Sequence, residues 1–460
     1  MTDMAISNVP RIMISATGSG VGKTTLVCGL LKALLNQGVS VSAFKSGPDY
    51  IDPMFHTRVM GAHSRNLDLF MLGEDTARYL VAKNAAQADV AVFEGAMGFY
   101  DGMGKTTEAS AYALAKACDV PVVLVVNGKG AALSVAATIK GFKEFRKDSH
   151  IAGAILNNVN PMSYAFYKEA IEAETGVKLL GYFPKMDNCN FESRHLGLVT
   201  AEEIGDLQEI VERLAQQAAK SLDIEGIVAL AKGAAPLPYE PVGLEPVGKA
   251  RIAIAQDKAF CFYYRDALDL LAELGAELVP FSPVEDKHLP DCDGIIFGGG
   301  YPELYAQQLA DNSTMLQEVK TAILSAMPCF AECGGFMYLL ERYVEGEHAY
   351  NWVGAIPGET AMTKSLKRFG YVQLTAQQDN VLCKKGGCIN GHEFHYSDST
   401  NNGDGFTAVK ASGRGTWDCV HVSDSLYAGY PHIHLYGNVE FARSFVQHCC
   451  AFAQKKQQTE

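Results

Sequence analysis

Residues Ala16–Thr25 read ATGSGVGKTT, a Gly-rich turn that follows a short apolar run and opens a helical stretch. Glycines at 18, 20 and 22 let successive backbone N–H groups turn toward a polyphosphate, and the helix N-terminus adds its partial positive charge. Gly18, Ser19, Gly20, Val21, Gly22, Lys23, Thr24 and Thr25 are therefore expected to form an ATP-binding loop. In such a loop Lys23 reaches the β- and γ-phosphates and the Thr24 hydroxyl ligates Mg²⁺. The strict G-x-x-x-x-G-K-T spacing is missed, because the residue five positions before Gly22 is Thr17.

A nucleotide site also needs carboxylates for Mg²⁺ and something to phosphorylate. Lys45–His56 reads KSGPDYIDPMFH, with Asp49 and Asp52 in a Gly-Pro turn. Phe93–Gly102 reads FEGAMGFYDG, with Glu94 ending an apolar run and Asp101 in the loop beyond. A single Asp in such a turn is as readily a turn-former. Acids recurring at the ends of successive strands are where open parallel sheets bind ligands.

A second chemistry is written in Pro328–Leu339, PCFAECGGFMYL. An apolar strand runs into Cys333, followed by two glycines and a helix-like stretch, the strand–elbow–helix pattern that exposes a nucleophile. Helix N-termini favour thiolates, so Cys333 is the candidate nucleophile, whereas Cys329 fits a buried inert thiol. Gly429–Asn438 reads GYPHIHLYGN and offers His432 and His434 as bases. The two histidines share one face if that stretch is extended. Upstream, GGGYPE at Gly298–Glu303 supplies the amides of Gly299 and Gly300 for an oxyanion hole, and Gly334 supplies another.

The elements that must hold these residues follow a regular rhythm. Arg11–Ser15, Val39–Phe44, Asp89–Glu94, Pro121–Asn127 and Ile151–Asn157 read as strands, with helices such as Thr107–Cys118 and Ala131–Phe145 between them. Strands that are apolar throughout and separated by helices imply a mostly parallel sheet covered on both faces. Gly233–Gly248 carries four prolines and reads as a linker. The pattern restarts with Arg251–Ala255, Tyr264–Leu274, Glu277–Phe281 and Gly294–Phe297. The expectation is an α/β protein of two domains, 1–232 and 249–448, joined by 233–248. The closing QKKQQTE reads as a frayed tail.

The 460 residues, 48% hydrophobic and 20% charged, can bury large cores, which excludes wholesale disorder. A net charge of -13 with no basic run argues against nucleic acid as a partner. The N-terminus lacks the pattern of a signal peptide, and no apolar run is long enough to span a membrane. Twelve cysteines without a CxxC pair fit neither a disulfide framework nor a zinc site. The expected setting is the cytoplasm, with no membrane partner.

The C-terminal half resembles the class I glutamine amidotransferase domains fused to cobalamin-pathway synthetases. The N-terminal half resembles the dethiobiotin-synthetase-like, P-loop ATP-dependent ligases. The whole chain resembles the cobyrinate a,c-diamide synthase family, through SGPDYIDPMFH, FEGAMGFYDG, GGGYPELY, AECGGFMYL and GHEFHYSD. The resemblance implies amidation of the a- and c-carboxylates of cobyrinate with ammonia from L-glutamine. ATP is the co-substrate, and the route passes through an acyl phosphate. It also implies Thr24, Asp52 and Glu94 as Mg²⁺ ligands, with Asp49, Tyr50, Ile51 and Asp101 handling the macrocycle. Common class I members have His-Pro-Glu where this chain has His432-Ile433-His434. Motif position favours His432 as the base with His434 orienting it, and the residues alone leave that choice open. Ni-sirohydrochlorin and hydrogenobyrinate remain alternative rings. A P-loop regulatory ATPase with a non-catalytic amidotransferase-like domain is the alternative of another class. A partition-type ATPase would carry an additional lysine where this chain has Gly18, which weighs against that variant.

Overall fold

The computed structural model describes residues 4–186, 189 and 201–459, and the side chains of all of these but 201–205 and 459. The chain divides into two compact units, Met1–Val242 and Gly243–Glu460. Among the described residues no helix is long and apolar enough to cross a membrane.

The first unit opens with β1 (Ala5–Ser7) and β2 (Arg11–Ala16), followed by α1 (Lys23–Asn36), β3 (Val41–Ser46) and α2 (Ile51–Arg58). It continues through β4 (His63–Leu67), α3 (Leu69–Asn84), β5 (Val90–Glu94), α4 (Ala111–Ala117), β6 (Val122–Asn127) and α5 (Ser134–Phe145). It closes with β7 (Ile151–Asn157), α6 (Pro161–Thr175), β8 (Lys178–Phe183), α7 (Ala201–Ser221), α8 (Ile224–Lys232) and β9 (Leu237–Tyr239). Seven strands form one sheet in the order β4-β3-β5-β2-β6-β7-β8, every pairing parallel. The unbroken apolar runs of β2, β5 and β6 follow from burial on both sheet faces. Helix α1 packs Leu26, Leu30 and Leu34 into a core shared with Ile12, Ile14 and Val92. At Gly29 a Cβ would stand 2.9 Å from the Leu214 carbonyl oxygen, so α1 and α7 approach backbone to backbone. Register places Lys45 of β3 opposite Glu94 of β5, so both side chains leave one face of the sheet.

The expected linker is partly structured. Leu237–Tyr239 pairs antiparallel with β1 as an edge ribbon, a place that tolerates Pro238, and the division between units falls after Val242.

The second unit repeats the scheme with β10 (Ala250–Ala255), β11 (Phe260–Phe262), α9 (Arg265–Glu273), β12 (Ala276–Phe281), β13 (Gly294–Phe297) and β14 (Gly299–Gly300). After α10 (Ala306–Asp311) and α11 (Ser313–Leu324), β15 (Cys329–Glu332) leads into the short α12 (Gly334–Leu339). A run of strands follows: β16 (Leu340–Glu345), β17 (His348–Asn351), β18 (Ile356–Met362), β19 (Arg368–Ala376), β20 (Cys388–His395) and β21 (Ser397–Ser399). Then come β22 (Phe406–Lys410), β23 (Thr416–Cys419), β24 (His421–Ser423), β25 (Leu426–Gly429), β26 (His432–Ile433) and α13 (Val439–Thr459). The central sheet runs β12-β10-β13-β15-β25-β24, parallel except at the β24 edge. A second sheet, β23-β22-β19-β20-β26, is antiparallel throughout and sets His392 of β20 opposite His432 of β26. The expected frayed tail is helical to Thr459, because α13 buries Phe441, Phe445, Val446 and Cys449 along one face.

Arg11 at the start of β2 is fully buried. Its guanidinium donates to the carbonyls of Cys118 (2.9 Å), Val9 (3.2 Å), Asp119 (3.1 Å) and Ala235 (2.6 Å), tying the sheet to segments far along the chain. Removing the donors strands the two buried carbonyls, of Cys118 and Val9, at about 1–3 kcal/mol each, while the two part-buried ones can turn to water. Arg11→Met should therefore cost the first unit about 3 kcal/mol and lower its melting temperature by about 6–12 °C by calorimetry. An unshifted transition would contradict this account of Arg11.

Candidate active sites

The phosphate-type loop joins the end of β2 to the start of α1. Gly20 (φ 73°) and Gly22 (φ 87°) take the left-handed conformation that turns the chain there. A Cβ on Gly22 would stand 2.3 Å from Asn157 Nδ2, which donates to the Val21 carbonyl at 2.6 Å. Asn157, at the end of β7, thus latches the loop from the next-but-one strand. Lys23 donates to the Met97 carbonyl at 2.8 Å, and burial, then the nearby Lys45, lowers its ammonium to about 8. Asp101 accepts from the Gly98 amide at 3.0 Å and so braces its own loop, whose Gly98 comes close to Gly18.

Beside it, Thr24, Asp52 and Glu94 converge. Thr24 donates its hydroxyl to Glu94 Oε1 at 2.9 Å, and Lys45 Nζ binds the same oxygen at 2.9 Å while also pairing with Asp52. Asp49 lies 3.9 Å from that ammonium. Its other oxygen accepts from the Ile51 amide at 2.8 Å and the Asp52 amide at 3.3 Å, opening α2. Tyr50 and Ile51 occupy that same turn, with Tyr50 buried. Burial alone would lower the Lys45 ammonium, but Glu94, Asp52 and Asp49 more than offset it and hold it charged. Burial, then Asp52, raises Asp49 to about 6; Lys45 overcomes burial at Asp52 and keeps it ionised. His56 stays neutral because burial outweighs its acidic neighbours.

Glu94 Oε2 is buried without a hydrogen-bond partner, 3.7 Å from His56 Nε2. Two carboxylates and a hydroxyl with one carboxylate oxygen to spare suit a hard cation that keeps waters and phosphate oxygens as its other ligands. No group of three His, Cys, Asp or Glu among the described residues could cage a metal alone.

In the second unit, Cys333 sits between β15 and α12 at φ 48° and ψ −106°. This strained elbow is buried to 8% exposure. Gly299, Gly300 and Gly334 close around it. A Cβ on Gly334 would stand 3.2 Å from the Gly300 amide nitrogen, and one on Gly299 would stand 2.6 Å from His432 Cε1. Only glycines allow that approach.

His432 lies close enough to Cys333 for its charge to act on the ring, and its Nδ1 lies 3.7 Å from Glu332 Oε2. Burial would lower the imidazole, but the charge of Cys333, its hydrogen bond and Glu332 together raise it to about 10. His392 stacks on the same ring, centroids 5.0 Å apart and planes 16° off parallel. Burial, then His432, pushes His392 well below its ordinary value, and its Nε2 meets the Tyr264 hydroxyl at 2.8 Å.

The expectation that His434 orients His432 is not met. His434 Nδ1 accepts from the Tyr436 amide at 3.2 Å, its ring stacks on Tyr264 at 4.8 Å, and burial lowers it to about 3. Tyr264 comes from α9's N-terminus and takes up the His434 ring.

Residues 12–199 match the CobQ/CobB/MinD/ParA nucleotide binding domain, and residues 251–439 match the CobB/CobQ-like glutamine amidotransferase domain. The cobyrinate a,c-diamide synthase of Caldanaerobacter subterraneus subsp. tengcongensis is 41% identical over 449 residues, covering 96% of this chain and 99% of that protein. The chain belongs to the cobyrinate a,c-diamide synthase family. The family's Clostridium tetani member is 40% identical over 441 residues, covering 95% of this chain and 99% of that one. Among solved structures, the signal recognition particle 54 kDa protein of Aeropyrum pernix K1 with GDP matches 45% of this chain and 49% of its own. At 17% identity and TM-score 0.31 that likeness is too slight to inform either unit.

Lys45, Asn157, Glu332, His392 and Tyr264 were missed as site residues. Lys45 and Glu332 each stand inside a motif that was read, next to residues that drew attention for their own chemistry. If the Gly22 turn cradles phosphates, Gly22→Ala should drive the loop off Asn157. ATP affinity by titration calorimetry would then fall at least about tenfold, since close backbone approach to the phosphates needs that turn. Unchanged affinity would detach the loop from nucleotide binding.

Proposed function

We propose that this chain amidates the a- and c-carboxylates of cobyrinate in cobalamin synthesis, using ATP and ammonia drawn from glutamine. As a member of its family it is a carbon–nitrogen ligase. The observation that carries the reading furthest is Cys333, strained at an elbow ringed by glycines, with the imidazole of His432 lying against one of those glycines. That pair is the working part of a glutaminase, and its integrity goes against a merely regulatory second unit.

In the second unit the Cys333 thiolate attacks the glutamine carboxamide carbon. The amides of Gly334, Gly299 and Gly300 receive the oxyanion. His432 gives its proton to the departing ammonia, leaving a γ-glutamyl thioester. It then takes a proton from the water that hydrolyses this thioester to glutamate.

In the first unit the backbone of Gly18–Thr25 and Lys23 hold the ATP phosphates. Thr24, Asp52 and Glu94 would hold Mg²⁺, which offsets charge during phosphoryl transfer. A carboxylate is a poor acyl donor. Its oxygen therefore takes the γ-phosphoryl group, ammonia attacks the acyl phosphate, and phosphate leaves with the original oxygen. Asp49, Tyr50, Ile51 and Asp101 orient the macrocycle. The Asp49 carboxyl, raised to about 6, changes charge near neutral pH and so can accept or release a proton there.

The test is mass spectrometry of cobyrinate incubated with the protein, ATP, Mg²⁺ and glutamine. Each amide formed lowers the mass by about one unit, and two successive shifts are expected. Glutamine hydrolysed with no shift would overturn cobyrinate as substrate. Cys333→Ala should reduce glutamine-supported amidation at least about 10³-fold while added ammonia still supports it. Lys23→Ala should cost about a hundredfold or more with either nitrogen source. Survival of that activity would remove the phosphate loop from the mechanism.

A further inference from the structure

The usual carboxylate of such a glutaminase, two residues beyond the base, is here His434, and that ring is engaged with Tyr264 and Tyr436. We infer that Glu332, the residue immediately before the nucleophile, is the carboxylate that positions His432. The inference rests on the glutaminase reading of Cys333 and adds to it a residue that motif spacing does not reach.

Two contacts carry it. Glu332 Oε1 accepts the Ile433 amide at 2.8 Å, gripping the backbone one residue past His432. The other oxygen, Oε2, faces His432 Nδ1 at 3.7 Å. One carboxylate therefore fixes both the strand that bears the base and the edge of its ring. The 3.7 Å separation is long for a hydrogen bond, but catalytic contacts often tighten only when substrate is bound.

Burial gives the contact weight. The side chains of His432 and Glu332 are 3% and 8% exposed, so solvent screens little of the attraction. A carboxylate enclosed this far needs a partner of opposite charge, and the imidazolium supplies it. His392 stacks on the ring's face as a neutral imidazole, and Gly299 lies against Cε1. Cys333 and Glu332, adjacent in sequence, both act on His432.

The chemical consequence concerns which nitrogen does the work. With Nδ1–H turned to Glu332, Nε2 is left for the thiol and then for the departing ammonia. The carboxylate keeps its place beside Nδ1 throughout. Its negative charge stabilises the imidazolium while the tetrahedral intermediate lasts, as in other nucleophile–base–carboxylate sites.

The experiment compares glutamine hydrolysis by the full chain as wild type, Glu332→Gln, Glu332→Asp and Cys333→Ala, over roughly pH 6–10. Glutamine at 332 keeps the shape and an oxygen for the Ile433 amide but removes the charge. The expected kcat loss is about 10²- to 10⁴-fold, with KM for glutamine within about threefold. The alkaline limb of the profile should also move to lower pH, because an imidazolium without its counter-charge loses its proton more easily. Glu332→Asp, which keeps the charge on a shorter arm, should recover part of kcat and return the limb toward wild type. A kcat for Glu332→Gln within threefold of wild type with the limb unmoved overturns the inference. So does a loss confined to KM, or one that Asp leaves as deep as Gln does. Glutaminase activity surviving in Cys333→Ala would instead remove the parent reading, and this inference with it.

Discussion

Lys45 is 5% exposed and its ammonium lies against Asp52 and Glu94, with Asp49 just beyond. None of these charges could be buried alone; each unpaired ion would cost several kcal/mol in so dry a place. The cluster requires β3 and β5 to end in register, and it requires the Asp49 turn to fold back over those ends. Thr24 joins through Glu94, which draws in the first turn of α1 and hence the phosphate loop. The parallel sheet is in this sense the frame for one cluster of mutually dependent charges. A cation entering among Thr24, Asp52 and Glu94 would compete with Lys45 for the same oxygens. The positive charge at the site would then be supplied in turn by the protein and by its ligand.

The second unit solves a related problem with a single pair. Cys333 takes a φ of 48°, a conformation costing of order 1–3 kcal/mol for a residue with a Cβ. Glycines on both sides let the elbow be enclosed, and a hydrogen bond to β25 helps to hold it, the Cys333 amide donating to the Gly429 carbonyl at 2.8 Å. The strain delivers the thiol to His432, whose ring is held at its edge by Glu332 and at its face by His392. Stacked rings resist tilting and an ion pair resists rotation, so the two contacts restrict different motions.

Much of this was legible in residues alone, and the division between what was and was not has a physical cause. The parallel strands of both units stood out because double-sided burial makes them continuously apolar; Ile151–Asn157 and Gly294–Phe297 match residue for residue. The phosphate loop and the cysteine elbow were legible because their chemistry is local, written in glycines whose φ the turn demands. The antiparallel strands between β16 and β26 were not. Strand β19 alternates clearly only in its second half, VQLTA, where Val372, Leu374 and Ala376 are buried, whereas RFGY opens it with an exposed Phe369 and a glycine that break the apolar pattern. Its neighbour β20, the GHEFHYSD segment, was recognised as a motif without a task, and only the β20–β26 register sets its His392 against the base.

The misassignment of His434 shows where spacing arguments stop. Alternation along an extended chain would place 432 and 434 on one side. What alternation omits is the partner each ring meets. Here that partner is Tyr264 for one ring, and for the other a carboxylate 101 residues away from the amide it grips. A buried imidazole takes its protonation state from whichever group shares its burial, so two histidines one residue apart end far from each other. His432 is raised to about 10 beside Cys333 and Glu332, and His434 is lowered to about 3 by burial. Which of them keeps its proton is a property of the sheet packing, which sets Cys333 and the acid at the end of β15 against His432.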